Sequence, residues 1–84
     1  MYLVYILRCA DGSLYTGITT NLSRRLSEHN SDNSNSKYTR SRRPVSLVYS
    51  FKLRSRSEAL KEEVRIKALS KRQKELLILG IKNI

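Results

Sequence analysis

Four side chains in this sequence are of types that could together cut a phosphodiester: Tyr5, Tyr15, Arg25 and Glu63. That chemistry needs a base near an attacking water and a cation to neutralise the charge developing on the phosphoryl oxygens. It also needs a carboxylate able to hold a divalent metal. A tyrosine has a reference pKa near 10, so it would serve as a base only with positive charge close by. Each residue also has a plainer reading. The tyrosines can be sheet residues, Arg25 a snorkelling surface side chain, and Glu63 half of an ion pair with Lys67 four residues on. Which reading holds depends on the elements that position them.

The tyrosines belong to two short apolar runs, Val4-Tyr5-Ile6 and Tyr15-Thr16-Gly17, with Asp11-Gly12 between them. That pattern predicts a β-hairpin. The run from Tyr2 to Cys9 is apolar through Leu3-Val4-Tyr5-Ile6-Leu7 and reads as a strand buried on both faces. Two turns fit. A two-residue loop of Asp11-Gly12 pairs Ala10 with Ser13 and sends the tyrosines to opposite faces. A three-residue loop, with Gly12 left-handed in a bulge, pairs Cys9 with Ser13, Leu7 with Tyr15 and Tyr5 with Gly17. The tyrosines then share a face, and Gly17 leaves space beside Tyr5.

Thr20 or Asn21 can cap a helix from Leu22 to about Asn30. On it, Leu22, Arg25, Leu26 and His29 fall within one arc. An arginine flanking the packing stripe needs a partner, whereas His29 fits as a helix-end residue near the negative pole of the dipole. Residues 30–43 read as an exposed polar loop whose second half interleaves Tyr38 with Lys37, Arg40, Arg42 and Arg43. That mixture suits phosphate contact with stacking on the ring. Pro44 opens a third strand in which Val45, Leu47, Tyr49, Phe51 and Leu53 alternate with other residues, and Tyr49 and Phe51 are expected in the core.

Ser55 with Glu58 fits a capping box for a second helix, from about Arg56 to Leu69. With Ala59 at zero and roughly 100° per residue, Ile66 lies near −20°, Glu63 near 40°, Leu60 near 100° and Val64 near 140°. Glu63 therefore sits inside the apolar arc, where a carboxylate is costly unless paired or metal-bound. Ser70 with Gln73 caps a last helix that turns Leu76, Leu77 and Ile78 inward and stops near Gly80. If both long helices pack on the tyrosine face, the polar groups converge.

Composition narrows the partners. The 84 residues suit one domain without internal repeats, and 17 Lys plus Arg against 7 Asp plus Glu give a net charge of +10. Charge of one sign at this density points to a polyanion, most simply nucleic acid. No transmembrane-length stretch and no long basic amphipathic helix argue for a membrane partner. The single cysteine, Cys9, excludes an intrachain disulfide, reads as a small core residue and fits a reducing, cytoplasmic compartment.

Taken together, the chain resembles a GIY-YIG nuclease domain over nearly its whole length, and is most similar to the small stand-alone bacterial members. Val4-Tyr5-Ile6 stands for the GIY triplet and Tyr15-Thr16-Gly17 for the YIG triplet. Residues 21–30, Asn21-Leu22-Ser23-Arg24-Arg25-Leu26-Ser27-Glu28-His29-Asn30, match the arginine helix, and Ala59 to Lys67 match the glutamate segment. The resemblance implies an α+β fold, a three-stranded antiparallel sheet flanked by helices in the order β-β-α-β-α-α. It implies hydrolysis of DNA phosphodiesters with one Mg²⁺ or Mn²⁺. It implies that Glu63 binds the metal, Tyr15 activates or orients the water, and Tyr5 hydrogen-bonds the phosphate or nucleophile. Arg25 would stabilise transition-state charge, His29 would assist proton movement and Gly17 would keep space open. Val4 and Thr16 depart from the name triplets, and the asparagine that members often carry after the glutamate helix is absent between Ser70 and Lys82.

The expected product of this sequence is a monomeric endonuclease acting on DNA, with RNA as a competing substrate and a protein partner supplying targeting, in DNA repair or nucleic-acid processing. The alternatives are a basic nucleic-acid-binding module with weak or no catalysis, and a protein adaptor whose charge only aids solubility. If the site is real, the tyrosines must point the same way, which requires the three-residue loop with Gly12 at positive φ.

Overall fold

The structure is a computed structural model; it describes residues 1–31 and 37–80, with Lys37 and Tyr38 described by their backbone alone. The elements run β1 (Tyr2–Arg8), β2 (Leu14–Thr19), α1 (Leu22–His29), α2 (Lys37–Arg40), β3 (Ser46–Leu53), α3 (Arg56–Lys67) and α4 (Lys71–Ile78). The strands form one antiparallel sheet in the order β2-β1-β3. β1 is thus central, and its Val4, Tyr5, Ile6 and Leu7 are buried on both faces, as continuous apolar sequence demands.

The hairpin takes the three-residue loop. Cys9 N–H donates to the Ser13 carbonyl (2.8 Å) and Gly12 N–H to the Cys9 carbonyl (2.9 Å). Gly12 has φ of 85°, a conformation that costs other residues. Asp11 braces the turn by accepting from the Ser13 amide (3.0 Å) and hydroxyl (2.6 Å). Tyr5 consequently pairs with Gly17 and Leu7 with Tyr15, and the two tyrosines share a face.

The helices do not all pack on that face. α1 lays Leu22 and Leu26 against Tyr5, Leu7, Cys9 and Val45. α3 and α4 lie behind the sheet, where Ile66, Leu77 and Ile78 meet Val4 and Ile6. The sheet is therefore sandwiched, and the condition that both long helices pack on the tyrosine face is not met. A strand buried on both sides requires a layer on each. α3 is capped by Ser55, whose side chain accepts from the Glu58 amide, and α4 by a reciprocal capping box of Ser70 and Gln73. A bidentate ion pair between Arg8 and Glu75, at 2.6 and 2.8 Å, ties α4 to the end of β1.

Three further expectations change. Residues 37–40 of the polar stretch are a helical turn, not loop, and Thr39 within it is fully buried. The register of β3 shifts between Ile6 and Leu7: Ile6 pairs with Tyr49 but Leu7 with Leu47. Val48 is the extra residue of this bulge. It sends Val45 and Leu47 to the tyrosine face, and Tyr49, Phe51 and Leu53 to the other. Phe51 is not core. On an edge strand, beyond the cover that the helices give Tyr49 and Leu53, it stays 51 % exposed. Val64 likewise turns outward at 67 % exposed, because Ala59 and Ile66 centre the inward face of α3.

Candidate active site

The tyrosine face gathers its polar groups through backbone geometry. Pairing with Gly17 lets the Tyr5 ring lie flat across β2, and a Cβ at position 17 would stand 2.6 Å from the Tyr5 hydroxyl. That hydroxyl is thereby carried to α1. There the i, i+4 spacing presents Arg25 and His29 side by side. His29 Nε2 lies 3.0 Å from the Tyr5 hydroxyl, and Arg25 Nε donates to the same oxygen at 3.4 Å. Tyr15 completes the group, its ring 5.1 Å from the imidazole in edge geometry and 6.5 Å from the Tyr5 ring.

α1 is fixed at both ends. Asn21 accepts from the Arg24 amide at 3.0 Å. Asn30 exchanges two bonds with Val45, accepting from its N–H (2.7 Å) and donating to its carbonyl (3.0 Å). This strand-like exchange brings the end of α1 to the start of β3.

His29 ends α1, as its spacing predicted, but its side chain is enclosed. It is 1 % exposed, not a cation at an open helix end. Burial lowers its pKa and the Arg25 charge lowers it further, so the imidazole is neutral near pH 7. Its Nδ1 lies 2.8 Å from the hydroxyl of Thr39. Thr39 went unseen in the sequence because a threonine among Lys, Tyr and Arg gives no signal of burial. The one available clue was that a buried histidine needs partners at both nitrogens. Burial also raises the Tyr5 pKa, against the hydrogen bond from Arg25, and Tyr15 and Glu63 add smaller upward contributions. Tyr5 is therefore a phenol, not a phenolate. For Arg25, hydrogen bonds to Tyr5 and Glu28 outweigh a larger single effect of burial, and its pKa is raised. Its Glu28 contact is an ion pair of 3.2 Å.

Glu63 stands on α3, whose Ile66 packs on the opposite face of the sheet from Tyr5. The Glu63 side chain is 18 % exposed and pairs with Lys67 at 3.3 Å, the plainer partner the spacing offered. Its charge is nonetheless felt at the Tyr5 phenol. Among the described residues no cluster of three or more His, Cys, Asp or Glu could form a closed metal cage. A lone carboxylate does fit a hydrated Mg²⁺-like ion, which keeps several waters and takes further ligands from substrate phosphate.

The basic stretch is anchored at its end. Arg42 Nε contacts Asp11 of the hairpin turn at 3.1 Å, and Arg43 Nε donates to the Arg40 carbonyl at 3.0 Å. Arg40 is exposed, and Arg42 and Arg43 are half-buried. The side chains of Lys37 and Tyr38 lie outside the described residues. No helix among the described residues is long and apolar enough to cross a membrane.

Comparison with known proteins gives the family and the fold. The model of the GIY-YIG catalytic domain matches residues 1–76. A UPF0213 protein of Desulfotalea psychrophila is 58 % identical over 77 residues, covering 92 % of this chain and 70 % of the relative. One from Halobacterium salinarum is 49 % identical over 77 residues, covering 92 % and 99 %. The solution NMR structure of a UPF0213 protein from Bacillus halodurans superposes with a TM-score of 0.59 at 46 % identity, over 93 % of this chain and 83 % of that one. A second NMR structure, from E. faecalis, gives 0.63 at 40 % identity, over 99 % and 90 %.

Proposed function

We propose that this chain, which belongs to the GIY-YIG catalytic-domain family, is a metal-dependent endonuclease hydrolysing DNA phosphodiester bonds. The observation that carries the reading is convergence. Tyr5, Tyr15, Arg25 and His29 meet at one face of the sheet, within reach of the Glu63 charge, in a chain of net charge +10. Glu63 would hold the Mg²⁺ or Mn²⁺, which supplies Lewis-acid neutralisation of the phosphate when bound. Arg25 offers a fixed cation where charge builds on the phosphoryl oxygens. Tyr15, half-buried against the imidazole, orients the attacking water. Tyr5, buried and engaged by Arg25 and His29, holds these groups in place, and neutral His29, whose Nε2 faces the Tyr5 hydroxyl, would take a proton only as that phenol passes its own on and gains another. Arg40, Arg42 and Arg43, with Lys37 and Tyr38, would take the nucleic-acid backbone. The protein would act as a cytoplasmic monomer in DNA repair or nucleic-acid processing, with targeting supplied by a protein partner.

The test is cleavage of plasmid, branched DNA and RNA with Mg²⁺ by the protein, Glu63→Ala and Tyr15→Phe. Each substitution should lower the rate by about a hundredfold or more. Equal activity in all three proteins would overturn the reading. The ion pair that already satisfies Glu63 favours a second possibility, a basic nucleic-acid-binding module without cleavage. In that case binding would be salt-sensitive, depend on the arginines and survive Glu63→Ala.

A further inference from the structure

We infer that Thr39 is a positioning residue: by accepting from His29 Nδ1–H it holds the ring in the tautomer, dictated by Tyr5 and Arg25, whose unprotonated Nε2 faces Tyr5. This rests on the nuclease reading for its purpose, but not for its geometry.

The tautomer follows from donors and acceptors. Tyr5 is a buried phenol with one proton. Arg25 Nε can only donate, and it donates into the Tyr5 oxygen. The phenol proton must therefore point elsewhere, and His29 Nε2 is 3.0 Å away. Accepting it leaves Nε2 bare. A neutral imidazole carries one N–H, which is then on Nδ1 and donates to the Thr39 hydroxyl at 2.8 Å. In the opposite tautomer, Nε2–H would compete with Arg25 for the Tyr5 oxygen and leave the phenol proton directed at donors.

Thr39 is suited to this task. It is 0 % exposed, so its hydroxyl is not exchanged for a passing water. Its carbonyl accepts from Arg42 N–H at 3.0 Å, and the Arg42 carbonyl accepts from Ala10 N–H at 2.9 Å. The Arg42 side chain holds Asp11. The hairpin turn between the two tyrosine strands thus also sets the place of the residue that orients His29. Two routes from one turn converge on Tyr5, one along β1 and one through α2.

His29 is the only histidine in the sequence, so its ring nitrogens are read without overlap by ¹⁵N-edited NMR near pH 7.5. The protein and Thr39→Ser should both show a protonated Nδ1 and a bare Nε2. Thr39→Val, which keeps the shape but not the hydroxyl, should shift population toward Nε2–H. It should also lower kcat on DNA by about tenfold or more with KM unchanged, by analogy with loss of an orienting partner, and Thr39→Ser should restore it. A protonated Nε2 in the unsubstituted protein overturns the inference, as does an unaltered tautomer in Thr39→Val. If the tautomer shifts as expected but no variant cleaves DNA, the positioning role stands and the nuclease reading falls.

Discussion

On one face of the sheet Tyr5, Leu7 and Cys9 pack under α1, and the core they form is threaded by hydrogen bonds to Arg25, His29 and Thr39. On the other, Val4 and Ile6 meet Ile66 of α3 in an apolar layer. Both layers are drawn from alternate residues of one strand, β1. A seven-residue stretch thus supplies the candidate chemistry from its odd positions and hydrophobic packing from its even ones. The polar layer holds its shape through directional bonds that each need a particular partner. The apolar layer holds by volume, and it tolerates polar atoms poorly.

The contrast is broken most directly at Gly17. In Gly17→Ala the new Cβ would meet the Tyr5 hydroxyl at 2.6 Å and its Cζ at 2.8 Å, so the buried ring must leave both Arg25 and His29. Cleavage should fall to background, and stability by about 1–3 kcal/mol, as overpacked cores do. Wild-type activity with an unchanged Tyr5–His29 contact would show that the polar layer yields as readily as an apolar one.

Acid should separate the layers next. The folded pKa of His29 lies below its usual value of about 6.5, so below that pH the unfolded chain binds a proton that the folded chain refuses. Stability is then present above about pH 6.5 and lost as pH falls toward the folded value, by up to about 1.4 kcal/mol per pH unit. The lowered carboxylates of Asp11, Glu62 and Glu75 add their losses only near and below their ordinary range of about 4. Urea unfolding at pH 7.5 and 5.5 measures the histidine share, and His29→Gln should remove it.

The smallest effect is expected on the apolar side. Thr16 pairs with Ile6 and is buried there, and its hydroxyl is without a hydrogen-bond partner among the described residues. Thr16→Val should raise stability by about 1 kcal/mol, since it relieves an unsatisfied buried group. A loss of stability would mean that the hydroxyl is satisfied, and that the apolar layer is less pure than its packing indicates.

What the sequence disclosed follows the range of the interactions involved. The hairpin was legible down to two registers, because Asp11-Gly12 and the flanking apolar runs are local; only the need to bring two tyrosines together selected between them. Helix caps at Asn21, Ser55 and Ser70 were legible for the same reason. The bulge at Val48 was not. An alternating strand looks identical with or without one extra residue in its pairing, which is a property of the partner strand. The side of the sheet taken by α3 was illegible for a similar reason: an apolar arc states that a face is buried, not against which layer. Thr39 and the burial of His29 depend on each other across ten residues, and neither announces itself alone.

The bulge also has a bearing on how this small molecule can change over time. Because Val48 takes up the extra step, the apolar residues Val45 and Leu47 before it face one layer, and Tyr49 and Leu53 after it face the other. Lineages could therefore revise Val45 and Leu47 alongside the hydrogen-bonded layer, or Tyr49 and Leu53 alongside the apolar one, with little cross-talk. Loss or gain of a single codon at that point would forfeit this independence, exchanging the allegiance of half the strand at once.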